Sequence, residues 1–220
     1  MIEDGDRIAV GVSGGKDSMT LLLALSRYQK FFHKKFDIEA VTLTMGIGEF
    51  DLTPVKELCN DLGVNYTIEE TLIGRIIFEE RQEKNPCSLC ANMRRGALHN
   101  IAISLGCNKV ALAHHKDDVI ETLLMSTFYE GRLHTFSPVT YLERKDLYLI
   151  RPLIYTCEKE IKSFIKENNI KVVPSPCHVN GKTTRQHIKD LLSNMTKTNK
   201  GVKSNIFGAL KRSGLDGWKD

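Results

Sequence analysis

Six residues near the start of the chain, Ser13 to Ser18, have the types and spacing of a phosphate-binding loop. They read Ser-Gly-Gly-Lys-Asp-Ser and directly follow the mostly apolar run 7–12. Successive glycines let the backbone turn sharply and approach a ligand, and the N–H groups at the start of a following helix face an anion. Lys16 adds a compact positive charge, and the Asp17 carboxylate suits Mg²⁺. The stretch predicts a phosphate or pyrophosphate site; the alternative is a glycine turn without a ligand.

A second polar cluster, His114-His115-Lys116-Asp117-Asp118, follows the apolar run 109–113. Adjacent carboxylates at the end of a strand can hold Mg²⁺, and histidines can orient a phosphate or a base. The alternative is that the two aspartates only cap a helix and favour its dipole. Capping accounts for one aspartate but not for the whole cluster.

A cysteine pair, Cys87-Ser88-Leu89-Cys90, precedes a helical pattern predicted over about 91–105, and we expect the pair to lie in a loop. Its spacing suits half of a zinc site, a thiol–disulfide redox pair or two ligands of an iron–sulfur cluster. The chain has no second C-x-x-C, but it has Cys177 in Pro-Cys-His. Three cysteines suit a four-iron cluster with one open iron, and a zinc site completed by His178 is the alternative.

Strands and helices alternate along most of the sequence. Strands are predicted at about 7–12, 37–44, 64–68, 109–113 and 147–150, and helices begin at about 18, 53, 91 and 158. This order predicts an α/β fold with a parallel sheet of about five strands and helices on both faces, in the manner of Rossmann-like proteins. Residues 174–220 are predicted to form a basic helical extension to a domain over 1–173.

Charge is concentrated in that extension. Residues 182–220 contain nine Lys or Arg against three Asp or Glu, whereas the rest of the chain is slightly acidic. A basic segment suits a polyanion such as RNA, with a solvated helix face as the alternative. If Lys182, Arg185, Lys189, Lys197 and Lys200 contact the phosphates of such an RNA, its affinity should fall steeply with salt.

Composition excludes a membrane-spanning class, because the longest purely apolar run is 21–25. Acidic residues at the amino end argue against a secretory or transit peptide, so a cytoplasmic protein is expected. Structural disulfides are not expected there. Cys59, Cys107 and Cys157 are assigned to a helix face, a helix exit and a helix start.

Together, four motifs make the chain resemble the tRNA 2-thiocytidine synthetases, a tRNA-thiolating branch of the PP-loop ATP pyrophosphatases, over nearly its whole length. The motifs are S-G-G-K-D-S at 13–18, C-S-L-C at 87–90 running into M-R-R-G, H-H-K-D-D at 114–118 and R-P-L at 151–153. Members of that family usually carry a leader before the first strand, so we expect contacts made there to be missing or made differently.

The resemblance implies the adenine nucleotide alpha hydrolase-like fold and a tRNA sulfurtransferase that adenylates an anticodon-loop cytidine and replaces its 2-oxygen with sulfur. It implies ATP, Mg²⁺ and a 4Fe-4S cluster as cofactors, and tRNA and a sulfur donor, such as a cysteine desulfurase or inorganic sulfide, as partners; a homodimer is the assembly considered. Alternatives are a tRNA 2-thiouridine synthetase, a lysidine-type ligase, and a nucleotide-regulated RNA-binding or sulfur-carrier protein without turnover.

The same resemblance assigns residues to roles. Nucleotide-binding residues are Ser13, Gly14, Gly15, Lys16, Asp17, Ser18, Thr44, His114 and Asp118; magnesium ligands are Asp17 and Asp118; cluster ligands are Cys87, Cys90 and Cys177; and the catalytic set is Asp17, the three cluster cysteines and Arg94.

Overall fold

A six-stranded sheet forms the centre of the computed structural model, which describes residues 1–48, 50–82, 86–174 and 184–218. The strand order is β3-β2-β1-β4-β6-β5, and every neighbouring pair is parallel except β5 with β6. The strands are β1 Asp6–Gly11, β2 Phe36–Leu43, β3 Asn65–Glu69, β4 Lys109–Ala111, β5 Val139–Leu142 and β6 Leu147–Ile150. The predicted α/β class with a largely parallel sheet is confirmed.

Eight α-helices occur among the described residues. They are α1 Lys16–Gln29, α2 Thr53–Leu62, the short α3 Ile73–Arg75 continuing into a π-helical turn Ile76–Glu80, α4 Pro86–Ser104, α5 Lys116–Glu130, α6 Glu158–Glu167, α7 Thr184–Thr198 and α8 Val202–Ser213. None of the helices in these described ranges is long and apolar enough to cross a membrane.

The sheet is covered on both faces because successive strand residues point to opposite sides. On β1, Ile8 and Val10 join one core with apolar residues of α1, α2 and α6, while Ala9 joins a second core with Leu98 and Ala102 of α4. A crossover helix on each side of a parallel sheet produces this arrangement. The prediction of helices on both faces is therefore confirmed.

The C-terminal helices pack on α5 through a third core. Ile188 and Leu192 of α7 and Phe207 of α8 are buried against Val119 and Ile120 of α5. Both helices are thus fixed by apolar packing beside the carboxyl edge of the sheet, where α5 begins. The division into 1–173 and 174–220 stays a prediction.

The structure differs from the predicted elements at β5 and at the start of α4. The segment 139–142 forms an additional antiparallel edge strand, which pairs Val139 with Ile150 and Leu142 with Leu147. Helix α4 begins at Pro86 rather than near 91, so the prediction that the cysteine pair lies in a loop is wrong. Proline is favoured in the first helical turn because the N–H that it lacks has no intrahelical partner there.

Candidate functional site: a nucleotide cradle joined to the C-terminal helices

The Ser13 to Ser18 loop links β1 to α1 and is fixed by its own hydroxyl groups. The Ser13 N–H donates to Ser18 Oγ at 3.1 Å, and the Ser18 hydroxyl donates to the Gly15 carbonyl at 3.0 Å. Ser18 is buried, and its Oγ is also 3.2 Å from Ser13 Oγ. The loop is therefore held in shape before any ligand binds.

The two glycines of this loop are required for different reasons. Gly14 has a φ of +75°, and a Cβ there would lie 2.8 Å from the Cβ of Val173, whose N–H donates to the Gly14 carbonyl at 2.9 Å. Gly15 has a φ of −73°, and its nearest neighbour to an added Cβ would be Ser13 Oγ at 3.5 Å, an ordinary contact. Nothing among the described residues requires glycine at 15, whereas close approach of an anion to the α1 N-terminus would. The loop at 13–18 together with the N-terminus of α1, here called the phosphate cradle, thus fits a phosphate.

We expect Gly15→Ala to leave the free energy of unfolding within about 1 kcal/mol of the wild-type value, because its backbone is relaxed and the added methyl group makes only an ordinary contact. ATP affinity should fall by roughly tenfold or more, since the new methyl group occupies the approach to the helix N-terminus. Calorimetric titration with MgATP and thermal melting check both parts. Gly14→Ala is the contrasting variant and should lower the melting temperature through the clash with Val173. Wild-type ATP affinity in Gly15→Ala would contradict this assignment.

Lys16 extends from the start of α1 into an acidic site. Its Nζ lies 2.9 Å from Asp17 Oδ2 and 3.2 Å from Oε1 of Glu158, the first residue of α6. Burial disfavours the ammonium, but hydrogen bonds and charges from the two carboxylates outweigh burial and raise the pKa of Lys16. For Glu158, burial is likewise outweighed, here by Lys16, Lys189 and Lys162, and its pKa falls to about 2. Both groups are therefore charged at neutral pH.

The predicted magnesium ligands Asp17 and Asp118 converge on His115. The ring atom Nε2 of His115 lies 3.6 Å from Asp17 Oδ1 and 3.4 Å from Asp118 Oδ2. His115 is the N-cap of α5, and its backbone N–H donates to Asp118 Oδ2 at 3.0 Å. His115 is 1% exposed. Two carboxylates from the first turns of α1 and α5 supply the oxygen ligands that Mg²⁺ prefers, so the residues fit this ion.

Asp117 has a different task from its neighbour. It is buried, accepts the Glu158 N–H at 2.8 Å and pairs with Lys203 of α8 at 2.6 Å. Burial raises its pKa, but these two donors outweigh burial and lower it overall. Asp117 thus joins the starts of α5 and α6 to α8, while Asp118 both caps α5 and faces the loop.

A buried acidic residue one turn further along α5 was not predicted from the sequence. Glu121 is 1% exposed and faces Arg185 and Lys189 of α7, with its Oε2 3.2 Å from Arg185 Nη1 and its Oε1 3.8 Å from Lys189 Nζ. Burial raises the pKa of Glu121 to about 7 despite these cations. Its i+3 and i+4 spacing from the two aspartates, which places all three along one side of a helix, was the available signal.

Arg185 and Lys189 were expected to contact tRNA, and the structure directs both toward the nucleotide site. Arg185 Nη1 also lies 3.2 Å from Asp118 Oδ1, and Lys189 Nζ lies 3.5 Å from Glu158 Oε1. Lys197 and Lys200 are exposed. Lys182 lies outside the described residues.

His114 lies in different surroundings from His115. Its ring stacks on Phe136 with centroids 4.3 Å apart, and burial lowers its pKa to about 4. Arg151 lies over the same phenyl ring at 5.3 Å and donates to the Ser137 carbonyl at 2.6 Å. Burial lowers the pKa of Arg151 to about 10, and within the described ranges no carboxylate pairs with it. The role of His114 in binding nucleotide stays a prediction.

Thr44 follows β2 at the same edge. Its N–H donates to the Glu69 carbonyl at 2.9 Å, and its carbonyl accepts the Thr71 hydroxyl at 2.6 Å. These bonds fix the backbone beyond β2, but no described contact joins Thr44 to the loop at 13–18.

The cysteine pair lies in the first turns of α4, beyond the carboxyl edge of the sheet. Leu98 of α4 packs over Gly11 at the end of β1, and Cys90 lies two turns earlier, about 12 Å along the axis at 1.5 Å per residue. Cys87 and Cys90 are three residues apart and so share one side of the helix. Cys87 is exposed and Cys90 half-buried, and Arg94, one turn on, is exposed. The side of the sheet that carries the phosphate loop therefore also presents the two thiols.

The third predicted cluster ligand, Cys177, lies outside the described residues, as does His178. Within the residues that are described, no group of three potential metal ligands occurs. The three-cysteine set stays a prediction.

The other cysteines have surroundings that match their assignments. Cys59 and Cys107 are buried in the cores, and burial raises the pKa of each thiol to about 11. Cys157 is the half-buried N-cap of α6, and burial raises its pKa as well.

The fold and the loop at 13–18 define a PP-loop protein. The family model ATP_bind_3, described as a PP-loop domain, matches residues 3–195. In three dimensions the chain is similar to the U34-tRNA thiolase NcsA from Methanococcus maripaludis, a structure with its 4Fe-4S cluster, with a TM-score of 0.78 and 24% identity over 96% of this chain and 73% of that one. At this identity the likeness shows the fold.

Curated relatives of similar sequence identify the family within the PP-loop proteins. A tRNA-cytidine(32) 2-sulfurtransferase from Geobacter sulfurreducens is 40% identical over 213 residues, which cover 96% of this chain and 83% of the relative. A protein of the same name from Pelobacter propionicus is also 40% identical, with 96% and 79% covered. The chain belongs to the tRNA-cytidine(32) 2-sulfurtransferase family of ATP-using tRNA thiolation enzymes.

Proposed function

We propose that the protein adenylates the C2 carbonyl oxygen of a cytidine in the tRNA anticodon loop and replaces that oxygen with sulfur. The observation that carries the proposal is the meeting, at one edge of the sheet, of the phosphate cradle, the carboxylates of Asp17 and Asp118 and the helix start bearing Cys87 and Cys90. Family membership supports cytidine rather than another base, because the relatives are named for cytidine 32.

The chemistry explains why ATP is needed. The C2 carbonyl of cytidine is a poor electrophile, and its oxygen is a poor leaving group. Attack of that oxygen on the α-phosphate of ATP releases pyrophosphate and leaves the oxygen bonded to AMP. Attack of sulfur at C2 then breaks the C2–O bond and releases AMP. The task of the protein is to position the reactants and stabilise charge.

The residues of the cradle suit the first half of this reaction. Gly14, Gly15 and the N-terminus of α1 would bind the departing pyrophosphate, with Lys16 and Ser13 beside it. Asp17 and Asp118 would hold Mg²⁺, which neutralises phosphate charge. Arg94, exposed one turn after Cys90, would contact tRNA or the carbonyl under attack.

For the second half, Cys87, Cys90 and Cys177 would hold a 4Fe-4S cluster, which supplies an iron without a protein ligand where sulfur can bind. Two thiols on one side of a helix start fit two corners of such a cluster. The sulfur donor would be inorganic sulfide, or a cysteine desulfurase whose persulfide sulfur is reduced to sulfide by two electrons from an added reductant. We propose that the enzyme acts in the cytoplasm on tRNA and consider a homodimer as its assembly.

Pyrophosphate release measured with and without unmodified tRNA tests the proposal, combined with mass spectrometry of the tRNA nucleosides. We expect tRNA to stimulate release and 2-thiocytidine to appear when anaerobic protein is supplied with sulfide and reductant. Lysidine as the product would instead indicate a lysidine-type ligase, and 2-thiouridine would indicate a tRNA 2-thiouridine synthetase. Pyrophosphate release that never depends on tRNA would contradict it altogether.

A further inference from the structure

Basic side chains from the C-terminal helices enter the acidic site around the phosphate loop. Arg185 reaches Asp118 and Glu121, and Lys189 reaches Glu121 and Glu158, at N···O distances of 3.2–3.8 Å. Arg185 and Glu121 are more than 60 positions apart in the sequence. About a third of each side chain is exposed, so both remain accessible to a ligand.

Charge balance favours a role for these cations in binding ATP. Without ligand, Lys16, Arg185 and Lys189 face the carboxylates Asp17, Asp118, Glu121 and Glu158. ATP with one Mg²⁺ brings in further negative charge. If Mg²⁺ occupies Asp17 and Asp118, those carboxylates are withdrawn from Lys16 and Arg185, and both cations are left beside the phosphates.

Arg185 would stay in place through that exchange. Glu121 also accepts from its Nη1 at 3.2 Å, and the Thr122 hydroxyl accepts from its Nη2 at 3.1 Å. Glu121 is fully buried, and nothing in the metal assignment removes it from the guanidinium. The helix itself is held by Ile188 and Leu192, which are 0% and 1% exposed. A rigid element therefore presents the cation.

We propose that Arg185 and Lys189 are phosphate-binding residues of the nucleotide site, which the C-terminal extension supplies to complete the cradle begun by Lys16. The inference rests on the proposed function in one respect, namely that the loop at 13–18 binds the phosphates of ATP. It adds residues from a helix that sequence analysis assigned to tRNA. A guanidinium held by a carboxylate and a hydroxyl is oriented for a phosphate oxygen.

Titration of the full chain with MgATP, and separately with magnesium pyrophosphate, tests this inference. We expect Arg185→Gln to weaken both ligands by about tenfold or more, since a charge-assisted hydrogen bond to phosphate is lost. Arg185→Lys should recover part of the affinity because the charge is retained. Lys189→Gln should act in the same direction.

Lys197→Gln on the same helix is the matched control, because Lys197 is exposed and bonds only the Asn194 side chain at 3.0 Å among the described residues. Its ATP affinity should equal that of the wild type. Thermal melting of every variant monitors α7. If Arg185 binds phosphate through its charge, ATP affinity should be highest with arginine at position 185, intermediate with lysine and lowest with glutamine. A loss of affinity that arose only from loosening of the helix would not follow this order.

Two results would overturn the inference. Unchanged or tighter MgATP binding in Arg185→Gln would show that the arginine only competes with Mg²⁺ for Asp118. Weaker tRNA binding with unchanged ATP affinity would make the arginine a tRNA contact. Failure of the wild type to bind ATP would instead contradict the proposed function, so the two failures are distinguishable.

Discussion

Asp17→Ala is expected to abolish tRNA-dependent pyrophosphate release while leaving the fold intact. Asp17 supplies one of the two carboxylates that face His115 Nε2, and removing a proposed ligand of Mg²⁺ removes stabilisation of the charge that develops on pyrophosphate. We expect a loss of roughly 10²-fold or more in rate. The change in the free energy of unfolding should stay within about 1 kcal/mol, because the side chain is about one-third exposed.

The measurement is pyrophosphate release at saturating tRNA across a range of Mg²⁺ concentrations. Asp61→Ala is the matched control, because Asp61 is exposed on α2 and belongs to no described contact with the site. Asp17→Asn keeps the shape and should also be inactive, since an amide is a weaker ligand without charge. Turnover at the wild-type rate in Asp17→Ala would rule out the magnesium assignment.

Local patterns were sufficient to predict much of the fold. Helix α6 has the predicted bounds, Glu158–Glu167, because Ile161, Phe164 and Ile165 recur with helical spacing. Strand β5 could not be predicted in the same way. It has only four residues, and its pairing depends on β6 rather than on anything in its own segment.

The candidate site likewise has a part that local sequence predicts and a part that depends on distant contacts. The cradle could be predicted because its six residues are contiguous and follow a strand, a position where α/β sheets bind ligands. The contacts of Glu158 with Lys16, and of Arg185 with Asp118, join residues 142 and 67 positions apart. Charge alone therefore assigned Arg185 to tRNA, whereas the packing of α7 on α5 determines which carboxylates it meets.

Serine at Cys87, Cys90 or Cys177 is expected to remove the iron–sulfur absorbance and tRNA thiolation together. Three thiolates hold the proposed cluster, and a serine hydroxyl is a poor substitute for a thiolate on iron. Pyrophosphate release should persist in part in these variants, because the nucleotide cradle does not use the cysteines. The measurements are iron and sulfide content and absorbance of anaerobically purified protein, followed by nucleoside mass spectrometry.

Cys157→Ser is the control that the structure offers. Cys157 is the N-cap of α6, a position that favours serine, so this variant should keep its cluster, its thiolation activity and its stability. Cys107→Ser should also keep the cluster but melt earlier, because it places a hydroxyl in a core position that is 6% exposed. Cluster loss confined to the three proposed ligands would separate iron binding from general thiol damage. Stoichiometric zinc in active anaerobic protein, or thiolation by Cys177→Ser, would show that sulfur does not reach the base by this route.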